Sequence, residues 1–168
     1  IVINIKQVRF TMKRKNTYVI ITLIILFSFT SILYLNSNSP SDYLLKNYSD
    51  VTEILYQEKI DSNKHIVFFR DENNSIFCAI IKEQLLGYRT LRISGKCNIR
   101  NPGYICSNYN ENKDDAWVAW GLITDKDIIG VRCDGIEMKI VECTQYNYRF
   151  CWIIGSGKTP IEYAESYF

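Results

Sequence analysis

The sequence predicts a mainly β protein: one N-terminal transmembrane helix, a short helix, then an antiparallel β sandwich or meander of about seven to nine strands. Three observations predict it. An apolar run without a charged residue covers positions 18–35. Beyond it, short apolar runs alternate with turn residues. One of those turns, Asp134-Gly135, lies at the centre of an apolar register suited to a two-residue hairpin.

The apolar run reads YVIITLIILFSFTSILYL. As a helix it rises about 27 Å, close to the thickness of a hydrocarbon core. Lipid offers the backbone no hydrogen-bond partner, so a helix is the form expected. Tyr18 and Tyr34 stand at the two ends, where amphipathic rings favour the headgroup level. Residues 1–17 form a basic stub with Lys6, Arg9, Lys13, Arg14 and Lys15 and no acid. Of the twenty Lys and Arg in the chain, fifteen remain beyond the stub, against all eighteen Asp and Glu, a net −3. The positive-inside rule then sets the stub in the cytoplasm and the body outside, a single-pass plasma-membrane topology. A cleaved signal peptide is the competing reading, but the run is longer than a signal core and no A-x-A-like site follows. A lipoprotein is excluded, because the first cysteine is Cys78. Met12-Lys13-Arg14-Lys15 reads as a natural start, so the expectation is that residues 1–11 are an upstream extension or that the true N-terminus is missing, with an unusual start codon as the alternative.

Residues 36–40, Asn-Ser-Asn-Ser-Pro, form a short polar linker, and residues 41–168 form one extracytoplasmic β-rich domain. Ser41-Asp42 before Tyr43-Leu44-Leu45-Lys46 predicts a capped short helix. Strands are expected at 52–60, 87–94, 116–124 and 148–154, with an edge strand at 161–168. A hairpin from His65 to Lys82 would turn at Glu72-Asn73-Asn74-Ser75 and pair Val67 with Ile80, Phe68 with Ala79 and Phe69 with Cys78. Both its faces are apolar, so it should be covered on both sides. In the Asp134-Gly135 hairpin, Cys133 would face Ile136, Val131 face Met138, and Ile129 face Ile140, with Arg132 opposite Glu137 on the other side. Residues 97–115, rich in Asn with Pro and Gly, read as a long loop.

The six cysteines permit up to three disulfides outside the membrane. Cys97 with Cys106 is the preferred pair, closing a loop around Asn101-Pro102-Gly103; the alternative is a set of reduced, buried small hydrophobes. With no C-x-x-C and a single histidine, no metal site is expected. Gly155-Ser156-Gly157-Lys158-Thr159 lacks the first glycine of a P-loop, since that position is Trp152, and Pro160 follows at once. Nucleotide is therefore not expected, nor any other cofactor. The mildly acidic body argues against nucleic acid and anionic lipid as partners. Asn47-Tyr48-Ser49 and Asn73-Asn74-Ser75 match the glycosylation triplet by chance in an Asn-rich chain.

Trp117 and Trp120 point to opposite faces of one strand, so one can pack while the other meets a partner. With Tyr104 and Tyr109 they form the candidate ligand or partner surface, with Tyr146 and Tyr148 as further aromatics in nearby loops. His65, the lone imidazole, reads as a strand residue rather than a base. Asp114, Asp115 and Asp125 are the acids on which a carboxylate-based hydrolase would rest.

The series His65-Ile66-Val67-Phe68-Phe69-Arg70-Asp71, Gly87-Tyr88, Trp120-Gly121-Leu122-Ile123 with Asp125, Gly135 and Arg149-Phe150 spans roughly residues 41–155. It resembles small uncharacterised membrane-anchored or secreted extracytoplasmic proteins of low-GC Gram-positive bacteria. The resemblance implies an anchor or signal followed by one β-rich domain and carries over no catalytic residue. Six cysteines depart from that pattern. The expectation is a non-enzymatic, membrane-tethered binding or interaction domain whose partner is an envelope protein or cell-wall component. A structural or stress-related envelope protein without a ligand is the first alternative, the hydrolase the second.

Overall fold

The computed structural model describes residues 18–28, 39–100, 102–111, 114–157 and 164–168. The stub 1–17, positions 29–38 of the expected span and linker, and Lys158-Thr159 lie outside the described residues. The chain divides into two compact units, Ile1–Asn36 and Ser37–Phe168. In the first, residues 18–28 form helix α1, apolar on every side and exposed throughout. No described helix is long and apolar enough to cross a membrane; residues 29–35, the rest of the expected span, are not among those described.

The second unit is mainly β and antiparallel. It opens with α2 (Pro40–Asn47), whose cap lies two residues earlier than the expected Ser41. Ser39, not Ser41, is the cap: its hydroxyl accepts from the Asp42 N–H at 3.1 Å. Pro40 takes the first helical position, where its missing N–H costs nothing. Four strands follow as a meander: β1 (Val51–Lys59), β2 (Lys64–Asp71), β3 (Ile76–Gln84) and β4 (Gly87–Cys97), ordered as in sequence. A second sheet has the order β5-β6-β10-β9, from β5 (Tyr104–Glu111), β6 (Asp114–Ile123), β10 (Arg149–Ser156) and β9 (Lys139–Glu142). A third, small sheet joins β11 (Glu165–Tyr167), β7 (Gly130–Cys133) and β8 (Ile136–Glu137).

These elements stack in layers. Between the two large sheets lies the main core, where Leu55, Ile66, Phe68, Ile76 and Ile80 meet Val118, Trp120, Leu122 and Phe150. Phe68 stacks on Phe150 with ring centroids 4.3 Å apart and planes 2° from parallel. The far face of the first sheet, with Val67, Phe69, Ala79 and Ile81, is covered by Leu44 of α2. The far face of the second, with Trp117, Ala119 and Cys151, is covered by Val131, Cys133 and Met138 from the third-sheet region. Alternating side chains thus bury both faces of each large sheet, which explains the apolar runs on both sides of β2 and β3.

Several expectations need correction. The described residues form eleven strands rather than seven to nine. The expected loop 97–115 holds β5, an edge strand whose Ser107 and Tyr109 point inward while Cys106 and Asn108 point out. The Asp134-Gly135 turn forms, with φ of +52° and +74°, and sets Cys133 opposite Ile136 and Arg132 opposite Glu137. Ile129 does not meet Ile140, however, because the chain turns inward at buried Met138 and β9 crosses to pair with β10. In the first hairpin, Val67 pairs with Ala79, Phe68 with Cys78 and Phe69 with Phe77, one residue away from the expected register. Asn74 adopts φ +59°, and the Asp71 N–H donates to the Ser75 carbonyl at 2.9 Å. The turn therefore contains three residues, not four, which shifts every pair beyond it.

Cys97 and Cys106, the pair expected to be joined, occupy different settings. All six cysteines are free thiols. Cys97 faces the main core and its Sγ donates to the Gly103 carbonyl at 3.2 Å. Cys106, by contrast, is exposed on β5.

Candidate functional site

The four aromatics expected to share a surface do not come together. Trp120 is fully buried, and its indole N–H donates to Ser94 Oγ at 2.8 Å. Tyr109 is buried in the same core. Trp117 is buried on the other face of β6, in the cluster against which half-buried Tyr104 packs. Two cores therefore claim two aromatics each. Trp117 is further fixed by Gly155 on the neighbouring strand, since a Cβ there would lie 2.1 Å from the indole ring. His65 is buried at the start of β2 as a strand residue. Asp115 is the second residue of β6, after Asp114, and Asp125 lies beyond its other end. Extended chain of that length separates the acids by roughly 30 Å, so they do not converge.

The better candidate is a grouping that the sequence does not assemble, although Asp125, Tyr146 and Tyr148 among its members are noted there. A cleft of about 230 Å³ opens at one end of the second sheet, bounded by Thr124, Asp125, Lys126, Glu142, Asn147 and Arg149. Its wall is the pair Tyr146 and Tyr148, stacked with centroids 5.3 Å apart and planes 8° from parallel. Two adjacent strands of the first sheet hold that pair. Glu53 on β1 accepts from the Tyr146 hydroxyl at 2.9 Å, and Arg70 on β2 pairs with Glu53 at 2.9 Å. The Arg70 guanidinium donates to the Tyr146 and Tyr148 oxygens at 2.9 and 3.1 Å and lies 4.3 Å from the Tyr146 ring centre. A cation over a ring face and charge-assisted hydrogen bonds act together here.

Electrostatics follow from this arrangement. Burial pushes the Tyr148 phenol up to about 12, with nearby Cys143 adding and Arg70 opposing. Burial by itself lowers the Arg70 guanidinium, but its hydrogen bonds to Tyr146 and Tyr148 and the Glu53 charge outweigh that and raise it. The wall is thus a stacked tyrosine pair, its Tyr148 phenol held protonated by burial, pinned by the Arg70 cation. On the opposite rim, Arg149 Nη2 donates to the carbonyls of Asp125 at 2.9 Å and Ile128 at 2.8 Å, which fastens the 124–128 loop to β10. The rim side chains of Asp125, Lys126, Glu142 and Asn147 are exposed. They present donors and acceptors of both charge signs around an aromatic wall, a chemistry suited to a polar ligand or a polar protein surface.

Sequence reasoning noticed Tyr146 and Tyr148 only as nearby loop aromatics. The alternation Tyr-Asn-Tyr-Arg at 146–149 was the available signal, because it sets both tyrosines on one side and the two polar residues on the other. Among the described residues no group of three or more His, Cys, Asp or Glu side chains could hold a metal ion. No family model, curated protein or solved structure matches this chain.

Proposed function

We propose that this chain is a membrane-tethered extracytoplasmic binding domain, without enzymatic activity, that uses the cleft beside Tyr146 and Tyr148 to hold a polar ligand or a polar face of an envelope partner. The single observation that carries the binding role is the preorganised tyrosine wall, locked from behind by Arg70 and Glu53 while the rim stays exposed. Such a surface loses little side-chain freedom when it is occupied. The tether is supported by the uncharged run 18–35, by the basic stub before it, and by the exposure of α1 on every side. Separation of Asp115 from Asp125 speaks against a hydrolase built on those acids.

A photoreactive amino acid at position 147 of the full chain, activated in cells, tests the cleft. The reading expects one dominant adduct, reduced several-fold by Lys126→Glu or Glu142→Lys. Adducts insensitive to both rim reversals would overturn it. The tether is tested separately. It requires the chain to stay with membranes through an alkaline wash, and a reporter fused after Phe168 to be active only outside the cytoplasm.

A further inference from the structure

The β3–β4 hairpin ends in an unexpected way. Gln84 pairs with Gly87, which leaves Leu85 and Leu86 as the two residues of the turn. Two-residue turns favour Asn, Asp and Gly, because those residues accept the turn's dihedrals or bond their own backbone. Here Gly87 takes the positive φ, +112°, and two leucines occupy the tip. Leu85 is 99% exposed and Leu86 56%. Turn chemistry does not call for leucine here, and the fold gains nothing from burying either side chain.

The surroundings are not neutral. Lys64, Lys82 and Arg89 pair in register across β2, β3 and β4, which sets three cations in a row just behind the tip. Like charges facing each other across strands oppose pairing. Lys59 stands on the next strand, opposite His65. The acids at this end are Asp42, Asp61 and Glu83, of which Asp61 pairs with Lys64 at 2.9 Å and Glu83 lies 3.6 Å from Lys59 and 3.8 Å from His65. The body as a whole carries −3, yet here four cations face three acids. Tyr88 adds an amphipathic ring immediately behind the leucines. Paired exposed leucines, an interfacial aromatic and a cation row form the combination that favours the boundary between lipid headgroups and acyl chains.

Position within the domain points the same way. The Tyr43 ring of α2 lies 6.3 Å from the Tyr88 ring, so the first turn of α2 and the leucine tip share one end of the domain. The 71–75 turn is at the other end of the same strands.

We propose that the Leu85-Leu86 tip, backed by Lys64, Lys82 and Arg89, docks into the surface of an anionic bilayer and fixes the orientation of the domain on it. The proposal rests on the reading of residues 18–35 as a membrane helix. The tip is then a second, reversible attachment, and the first sheet stands upright with its 71–75 turn away from the lipid.

The test uses the full chain reconstituted into vesicles of phosphatidylcholine with a minority of phosphatidylglycerol. A benzophenone amino acid replaces Leu85, or in a separate protein Asp134, the tip of the β7–β8 hairpin. Lipid adducts several-fold more abundant from position 85 than from 134, and reduced by Lys82→Glu with Arg89→Glu, are the expected result. Equal lipid labelling at the two positions in a chain that survives an alkaline wash overturns the docking tip and leaves the tether standing. Adducts from position 85 to a second copy of the chain overturn it as well. Loss of the chain from the vesicles in the wash overturns the tether and the docking tip together, which separates that failure from the other two.

Discussion

The two large sheets solve the same burial problem differently. The first is a meander whose neighbours in space are neighbours in sequence, and an eight-residue helix covers its outer face. The second pairs β6 with β10 only after the chain has left to build most of the third sheet, which then covers it. Local hairpins close short loops at little entropic cost, whereas the second sheet must close a loop of more than twenty residues before its central pair can form. The first sheet can therefore organise by itself, and the second depends on its own cover being in place. What unites them is the shared core around Phe68, Trp120 and Phe150.

The largest test of this contrast removes the ring that joins the sheets. Phe68→Ala should destabilise the domain by about 3–5 kcal/mol, the usual range for a buried aromatic truncated to alanine. Urea unfolding followed by Trp fluorescence and by far-UV circular dichroism should shift together; transitions that separate would show that the sheets unfold independently.

A smaller effect isolates the second sheet. Gly155→Ala drives a methyl group into Trp117 and should cost about 1–3 kcal/mol through overpacking. Gly103→Ala, with nothing within 4 Å of the added Cβ, should leave the unfolding midpoint nearly unchanged. Equal effects would mean that the outer cluster around Trp117 is loosely packed.

Alkaline pH compares the sheets directly, since each buries a thiol. Burial raises Cys78 in the first sheet well above its ordinary value, and raises Cys151 in the second to about 12. A raised folded-state value means that the unfolded chain loses its proton first. Stability is therefore complete below about 9, the unfolded thiol value, and falls as the pH climbs toward the folded values. Tyr148, raised to about 12, adds to the loss above about 10. Cys151→Ala should flatten the decline between those limits. An unchanged slope would assign the alkaline loss to the other raised groups, Cys78 and Tyr148 among them.

The weakest effect belongs to the surface. Arg132 and Glu137, paired at 3.0 Å across the β7–β8 hairpin, are each more than half exposed. Arg132→Ala should leave the unfolding midpoint within error, as exposed ion pairs usually do; a clear fall would show that the third sheet relies on this pair as well as on its buried side chains.

The same contrast decides what could be read from the chain. Turn chemistry is local, so Asp134-Gly135 and the placement of Arg132 opposite Glu137 were legible. The 71–75 turn was legible as a turn but not in register, because which Asn adopts positive φ is set by the hydrogen bonds of Asp71 rather than by residue type. β5 was hidden by Asn-rich polarity: as an edge strand it needs only one apolar face, and Ser107 fills an inward position by bonding Ser94. The aromatic surface was misjudged for a related reason. Alternation gives two faces but not which of them is wet, and here both are covered, so Trp117 and Trp120 are both core. The tyrosine wall depends on Glu53 and Arg70, more than seventy residues away in sequence, a coincidence that only tertiary structure supplies.

The bond between Ser94 and Ser107, at 2.9 Å, has a consequence beyond satisfying the Trp120 indole. It stitches the rim of β4 to that of β5, while Lys139 reaches Glu58 and Cys143 Sγ donates to the Leu55 carbonyl on the opposite side of the sandwich. The outermost strands of both sheets are thereby engaged, and those of the third sheet are only two and three residues long. Long unprotected strand borders are templates for stacking one molecule on the next into fibrils. Here side chains tie those borders to the facing sheet at Ser94–Ser107 and Glu58–Lys139, so a strand added there would have to accommodate or break these ties.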